Sequence, residues 1–177
     1  LSIGGCDVVN LAREFGTPLY LFDEFTLRHK CREFKAEFTR RYPDTLVIYA
    51  SKAFLNRGLA LVFKEEGLGL DVVSAGELSI AHSVDFPLAK VYFHGNNKAP
   101  EELELALNWG IGRVVVDNFY ELELLNGLAK GKGISQDILL RFTPGVDPHT
   151  HEYTTTGTLD SKFGFPLATG QAEEAVK

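Results

Sequence analysis

The stretches Leu46-Val-Ile-Tyr-Ala50 and Leu68-Gly-Leu-Asp-Val-Val73 decide the fold. Both are apolar runs without alternation, which is typical of strands that are covered on both faces in a parallel sheet. Residues 55–66 between them have the length of a helix, and Gly67 ends it. Residues 46–73 therefore predict one β-α-β unit with parallel strands.

The same unit repeats along the chain with a nearly constant step. The predicted strand centres are separated by 22, 22, 23 and 24 residues, at Ile48, Leu70, Tyr92, Val115 and Leu139, with one predicted helix in each gap. Such a succession fits an open doubly wound sheet or a (β/α)8 barrel. The even step, and the lack of a GxGxxG motif after the first strand, favour the barrel. We therefore predict an α/β fold, an incomplete (β/α)8 TIM barrel of about five β/α units, because a complete barrel takes about 250 residues.

A different pattern precedes the repeats. The breaker Gly16-Thr-Pro18 is followed by a short predicted strand over Leu19–Phe22, and a helix is predicted from about residue 23 to residue 42. The apolar positions of that helix recur at spacings of four, three and four, which places them on one face. Cys31 lies on that face, so we expect it to be buried as a small apolar side chain.

The composition excludes several classes of function. The net charge is −6, from 24 acidic and 18 basic residues, which disfavours nucleic acid as a main partner. No apolar run approaches the ~18 residues that a membrane span needs. Two cysteines make neither a disulfide framework nor a metal cage and favour a reducing compartment, the cytoplasm. His149-Thr-His151 resembles a metal pair, but no third ligand follows at a suitable spacing, so we predict no metal.

The two ends of the sequence suggest that it is incomplete. Its 177 residues contain no methionine, and the first residue is Leu1. Residues 171–177 have the pattern of a helix that has only begun. We therefore expect a piece of a longer chain.

Polar residues lie at the ends of the predicted strands. Lys52 follows the first strand, Asp71 interrupts the second, His94 follows the third, and Arg141 lies in the fifth. The carboxyl ends of barrel strands meet at one rim, where catalytic groups gather. We therefore expect these four side chains to share that rim.

Each of the four residues also has an ordinary structural interpretation. A lysine at a strand end is usually solvated, whereas a lysine withdrawn from water is a nucleophile toward an aldehyde. Asp71 either caps the next turn or pairs with Lys52 or a cationic ligand. Arg141 forms a structural ion pair or binds an anionic oxygen, and His94 is a loop residue or a ligand contact. Position alone leaves these alternatives open.

Several motifs resemble those of the fold-type III pyridoxal-phosphate decarboxylases. In chain order they are Gly16-Thr-Pro-Leu-Tyr20, Tyr49-Ala-Ser-Lys-Ala53, Leu70-Asp-Val-Val-Ser-Ala-Gly-Glu-Leu78, Phe93-His-Gly-Asn-Asn-Lys98 and Leu140-Arg-Phe-Thr-Pro-Gly-Val146. The stretch from His149-Thr-His-Glu-Tyr153 to Asp160-Ser-Lys-Phe-Gly164 is similar to the branch of that family that acts on meso-diaminopimelate. The resemblance extends over nearly the whole chain, and the order and spacing of the motifs make it specific.

The resemblance implies a domain organisation and a setting. The family joins a cofactor-binding barrel to a β-domain, so residues 1–22 would carry a strand of the β-domain. Residues 23–177 would be the N-terminal part of the pyridoxal-phosphate barrel. The family also implies a small amino-acid substrate, a cytoplasmic enzyme and a homodimer of the full-length chain.

The resemblance also implies roles for individual residues. Lys52 would be the catalytic residue and would hold pyridoxal 5′-phosphate as a Schiff base. Asp71 would lie close to the cofactor, and Arg141 would contact the side of its phenolic oxygen. His94 is a further candidate contact, and Lys162 would help to order a loop or the dimer interface.

The activity implied is decarboxylation of meso-2,6-diaminopimelate to L-lysine. A related decarboxylase of ornithine, arginine or a polyamine precursor is an alternative, and so is a non-catalytic homologue that keeps the fold. Retention of Lys52 argues against the non-catalytic homologue. The family's phosphate-binding and substrate-binding residues come later than Lys177, so we expect this chain to be inactive by itself.

Overall fold

The protein is built around one parallel sheet with helices packed against it. A computed structural model describes residues 1–146 and 163–177. The strands are β1 (Ser2–Ile3), β2 (Cys6–Asp7), β3 (Ile48–Ala50), β4 (Gly69–Val72), β5 (Val91–Phe93), β6 (Arg113–Val116), β7 (Ile138–Leu140), β8 (Phe142–Thr143) and β9 (Phe165–Pro166). The helices are α1 (Val8–Phe15), α2 (Glu24–Thr39), α3 (Arg57–Glu65), α4 (Ala75–Ser83), α5 (Pro100–Trp109), α6 (Phe119–Lys132) and α7 (Gln171–Val176).

The order of the strands identifies the type of sheet. Within the described residues the central sheet has five strands in the order β3-β4-β5-β6-β7, and its neighbouring strands run parallel. Leu70 of β4, for example, lies opposite Tyr49 of β3 and Val91 of β5. Because strand order follows chain order without a reversal, the sheet has the succession of a barrel and not the switch point of a doubly wound fold. The predicted incomplete α/β barrel is confirmed.

The two faces of the sheet have different environments. Leu70 and Val72 of β4 are fully buried and belong to one apolar core with Leu78 of α4 and Leu103 of α5. Successive side chains of a strand point to opposite faces. Asp71 therefore projects from the other face of β4, the face that lines the interior of a barrel, and it is half-buried there.

Two of the helices begin with the same hydrogen-bonded turn at the carboxyl end of a strand. In α4 the Ser74 hydroxyl accepts from the backbone N–H of Glu77, and in α6 the Asn118 side chain accepts from that of Glu121. Each glutamate reaches back to accept the N–H of the residue before its cap. This reciprocal arrangement is a variant of the capping box and fixes the direction in which the chain leaves each strand.

The N-terminal segment departs from expectation. Leu19–Phe22 is not a strand, because no strand among the described residues lies beside it to complete a hydrogen-bonded ladder. The sequence also did not predict β1 and β2, which form an antiparallel hairpin, or helix α1. Asp7 caps α1, since its carboxylate accepts from the N–H groups of Val9 and Asn10 at 3.0 Å.

The apolar face predicted for α2 is only partly covered. Cys31 is buried, as expected, but Phe34 and Phe38 are 57% and 51% exposed. They line an apolar groove of about 580 Å³ between α2 and the β3 edge of the sheet, together with Leu46 and Ile48. No helix in the described ranges is long and apolar enough to cross a membrane.

Candidate functional site

A polar cleft of about 380 Å³ lies at the carboxyl ends of the central strands. Its lining includes Lys52, Asp71, His94 and Arg141, with Phe163 and the loop of residues 95–98 beside them. The four side chains come from the ends of four different strands, and the parallel sheet brings these ends to one edge. The structure thus places all four together.

Lys52 lies in a single 3₁₀ turn, Ser51–Ala53, that directly follows β3. β3 is an edge strand of the described sheet, and the Lys52 side chain is exposed. An edge position leaves the side chain open to water, so the described residues do not desolvate Lys52, and its role in the site stays a prediction. The neighbouring Ser51 is 1% exposed, and its hydroxyl oxygen has no hydrogen-bond partner among the described residues.

Asp71 and His94 face each other across neighbouring strands. Nδ1 of His94 lies 3.5 Å from Oδ2 of Asp71, which is the outer limit of a hydrogen bond. The other oxygen of Asp71, Oδ1, and Nε2 of His94 are buried without a hydrogen-bond partner in the described residues. Buried polar atoms are normally satisfied, so these two atoms mark a place where a polar ligand would fit.

Arg141 follows β7 and supplies a fixed positive charge to the cleft. Its Nη1 donates to Oδ1 of Asp117 at 2.9 Å, and its guanidinium lies over the ring of Phe163, 4.2 Å from the ring centre. Asp117 is 2% exposed, and its other oxygen accepts the backbone N–H of Gly164 at 3.1 Å. Arg141 therefore forms a structural ion pair and also lines the cleft.

A second, fully buried ion pair lies directly behind the cleft. Nζ of Lys98 is 2.6 Å from Oε1 of Glu121, and it also donates to the carbonyl oxygens of Gly95 and Val115 at 2.8 Å each. Burial lowers the pKa of Lys98 from its ordinary value, and the ion pair with Glu121 opposes that effect. Three acceptors match the three protons of the ammonium group, which is how a buried lysine is stabilised.

Sequence reasoning assigned no role to Asp117, Glu121 or Lys98. Asp117 and Lys98 follow predicted strands, but charged residues at strand ends are usually solvated. The spacing Asn118-x-x-Glu121 after a strand repeats Ser74-x-x-Glu77, and this repeat was the available signal.

Two sequence predictions fall outside the described residues. Lys162, the candidate for ordering a loop or an interface, is one, and the His149-Thr-His151 pair is the other. In residues 1–146 and 163–177 no group of three or more His, Cys, Asp or Glu side chains could hold a metal ion.

The sheet and its cleft define an α/β-barrel domain with a lysine, a carboxylate, an imidazole and a guanidinium at the catalytic rim. The model of the family described as "Pyridoxal-dependent decarboxylase, pyridoxal binding domain" matches residues 25–177. The chain belongs to that family. The resemblance of its motifs to this group of enzymes is confirmed.

Particular relatives share both sequence and structure with the chain. Diaminopimelate decarboxylase of Bacillus subtilis is 51% identical over all 177 residues. The solved structure of diaminopimelate decarboxylase from M. jannaschii in co-complex with L-lysine is 35% identical, with a TM-score of 0.84 over 97% of this chain and 41% of that chain. A variant of the Helicobacter pylori enzyme complexed with L-lysine is 30% identical, with a TM-score of 0.87 over 96% of this chain and 42% of that chain. This chain spans about 40% of the length of the B. subtilis relative.

Proposed function

We propose that the protein is the cofactor-binding part of a diaminopimelate decarboxylase, which converts meso-2,6-diaminopimelate into L-lysine and carbon dioxide. The observation that carries the proposal is the convergence of Lys52, Asp71, His94 and Arg141 in one cleft. The chain that forms this cleft belongs to a pyridoxal-binding family. An amine and an anion-binding guanidinium are the groups that an aldehyde cofactor with a phenolic oxygen requires.

The residues of the cleft fit pyridoxal phosphate as far as the described structure extends. Oδ1 of Asp71 and Nε2 of His94 are buried polar atoms without a partner in the described residues, and they would gain one from a polar cofactor. Arg141 provides charge of the sign that a phenolic oxygen would need.

Lys52 would hold the cofactor through its aldehyde carbon and would be displaced by the amino group of the substrate. Its place in the turn after β3 fixes the backbone, while the exposed side chain keeps the freedom to exchange. When bound, the cofactor supplies an electron sink for the pair left behind as the α-carboxylate departs. Asp71 and His94 would provide hydrogen-bonding groups in the same cleft as Lys52.

The substrate class rests on the relatives. Two diaminopimelate decarboxylases are identical to this chain at 51% and 50% of its 177 residues. Two solved structures of that enzyme are complexes with L-lysine, the product of the proposed reaction. We therefore assign meso-diaminopimelate in preference to ornithine or arginine.

The organisation of the full enzyme follows the same proposal. Residues 1–22 would belong with a β-domain, and residues 23–177 with the pyridoxal-phosphate barrel; the start of the family match at residue 25 supports this boundary. The active form would be a cytoplasmic homodimer. The apolar groove beside β3 would lie inside the assembled enzyme, because Phe34 and Phe38 are costly to leave in water.

The experiment that tests the lysine assignment is titration of the purified chain with pyridoxal phosphate, followed by borohydride reduction and peptide mapping. We expect a visible absorption band and a reduced adduct on Lys52. Lys52→Ala should lose both signals, whereas Lys130→Ala, which removes an exposed lysine far along α6, should keep them. A wild-type-like spectrum in Lys52→Ala would refute the assignment.

The substrate assignment has its own measurement. In the full-length enzyme, added meso-diaminopimelate should change the visible spectrum of the bound cofactor at lower concentration than ornithine or arginine. An equal response to all three amino acids would contradict the proposed specificity.

A further inference from the structure

Asp117 is a buried carboxylate to which the reaction described above gives no part. It follows β6 and is 2% exposed, yet its two oxygens have different and well-placed donors. Oδ1 accepts from Nη1 of Arg141 at 2.9 Å, and Oδ2 accepts from the backbone N–H of Gly164 at 3.1 Å. One carboxylate thus connects the cleft arginine to the backbone at Gly164.

Arg141 also contacts the residues on either side of Gly164, namely Phe163 and Phe165. The guanidinium of Arg141 lies over the Phe163 ring, 4.2 Å from its centre. The Arg141 carbonyl oxygen accepts the backbone N–H of Phe165 at 2.8 Å. A planar guanidinium held at its edge by a carboxylate and at its face by an aromatic ring has few orientations left.

Glu121 and Lys98 fix the position of Asp117. Its backbone N–H donates to Oε2 of Glu121 at 3.1 Å, and Oε1 of Glu121 is bound by the ammonium of Lys98. The side chains of Lys98 and Glu121 are 1% and 4% exposed, so water does not compete for the hydrogen bonds of this pair. The chain of contacts runs from Lys98 through Glu121 and Asp117 to Arg141.

From this geometry we infer that Asp117 is the positioning residue of Arg141. It sets the orientation in which the guanidinium meets an anionic oxygen of the ligand in the cleft. The ligand's identity rests on the proposed function, whereas the Asp117–Arg141 relation rests on the contacts alone. A charged hydrogen bond that is pre-arranged before binding costs less ordering when the ligand arrives.

The test uses Asp117→Asn in the purified chain, with Arg141→Lys and the double variant. Asp137→Asn is the matched control, because Asp137 pairs with Arg113 at 4.0 Å at the opposite end of β6 and β7. We expect Asp117→Asn and Arg141→Lys each to weaken pyridoxal-phosphate binding about tenfold, and the double variant to bind no worse than either. Asp137→Asn should bind as the wild type does.

A readout without the cofactor separates this inference from the proposed function. In wild-type protein, nuclear magnetic resonance should resolve slowly rotating Nη–H signals of Arg141, assigned by their loss in Arg141→Lys. Asp117→Asn should collapse these signals, and Asp117→Glu should restore part of them. If wild-type protein binds no cofactor but this pattern holds, the proposed function fails and the positioning role stands.

Three results would overturn the inference. One is independent, additive loss of binding in the double variant. Another is unchanged Arg141 signals in Asp117→Asn. The third is an Asp117→Asn protein that melts at lower temperature but binds the cofactor with wild-type affinity, since that result assigns Asp117 to stability only.

Discussion

Nζ of Lys98 lies 2.6 Å from Oε1 of Glu121, and both side chains are almost completely removed from water. Lys98→Met would leave the Glu121 carboxylate buried without its cation, so we expect the free energy of unfolding to fall by about 3–5 kcal/mol. Urea denaturation followed by circular dichroism measures this loss.

A double variant tests whether the Lys98 effect comes from the pair. Lys98→Met combined with Glu121→Gln removes both charges and keeps an acceptor for the Asp117 N–H. We expect it to be more stable than the sum of the two single losses predicts, because the isolated charge is gone. Strict additivity would show that the two side chains stabilise the fold separately.

Glu66 should make the free energy of unfolding depend on pH in the acid range. It accepts hydrogen bonds from Arg32 and Arg28, and these hold the pKa of the Glu66 carboxyl below its ordinary value of 4.5 against the opposing effect of burial. A lowered folded-state pKa gives stability that is complete above about pH 4.5 and is lost as the pH falls through the folded value. Glu66→Gln should therefore cost about 1 kcal/mol at neutral pH and flatten the acid side of the profile.

The control for the Glu66 prediction is an exposed glutamate of α2. Glu33 pairs with Lys30 at 2.6 Å on the exposed surface, where ion pairs contribute little. Glu33→Gln should leave the neutral stability and the acid profile close to those of wild type. Equal effects of the two substitutions would mean that the ion pairs of Glu66 stabilise the fold no more than the exposed Lys30–Glu33 pair does.

The two cysteines should react at very different rates. Cys6 is exposed, whereas Cys31 is buried, and that burial, with the nearby Glu66 charge, raises the pKa of the Cys31 thiol. Only the thiolate is a good nucleophile, so iodoacetamide at pH 8 should alkylate Cys6 at least about 100-fold faster. Mass spectrometry of the time course gives both rates, and denaturing urea should abolish the difference. Comparable rates under native conditions would contradict the packing of α2.

Gly112 should tolerate no side chain. A β-carbon built there would overlap the carbonyl oxygen of Ala89, a backbone atom that cannot rotate away. Gly112→Ala should therefore lower the free energy of unfolding by about 3 kcal/mol. Gly127→Ala is the contrast, since its β-carbon would meet nothing within 4 Å and alanine favours a helix. The thermal midpoint should fall for the first variant and stay level or rise for the second.

The elements that the sequence predicted well carry their own boundary signals. Helix α5 is the one helix predicted in the gap between the strands centred at Tyr92 and Val115. It runs from Pro100 to Trp109, because proline suits the first helical position and Gly110 ends the helix in the left-handed conformation, with φ of 67°. Strand β5, Val91–Phe93, lies on its predicted centre, Tyr92. Local chemistry decides these ends, so a single sequence contains the information.

The elements that were missed depend on distant partners. Leu19–Phe22 has the composition of a strand, but a strand forms only where another one offers its hydrogen bonds. Strand ends placed Lys52, Asp71, His94 and Arg141 at one rim, whereas the burial of Lys98 depends on Glu121, 23 residues away along the chain. Sequence shows that both residues are charged and does not show that they meet.

The strands of the central sheet lie in chain order, so the residues of the cleft are synthesised in the order in which their strands are arranged. Lys52 leaves the ribosome first, Asp71 and His94 follow, and Arg141 comes last. Each of the last three comes with a strand whose neighbour in the sheet has already emerged. Arg141 therefore joins a rim to which the earlier strands already contribute. The hydrogen bond from Gly164 to Asp117, 47 residues apart, forms only after Gly164 has been made, so the carboxylate that holds Arg141 gains this contact last.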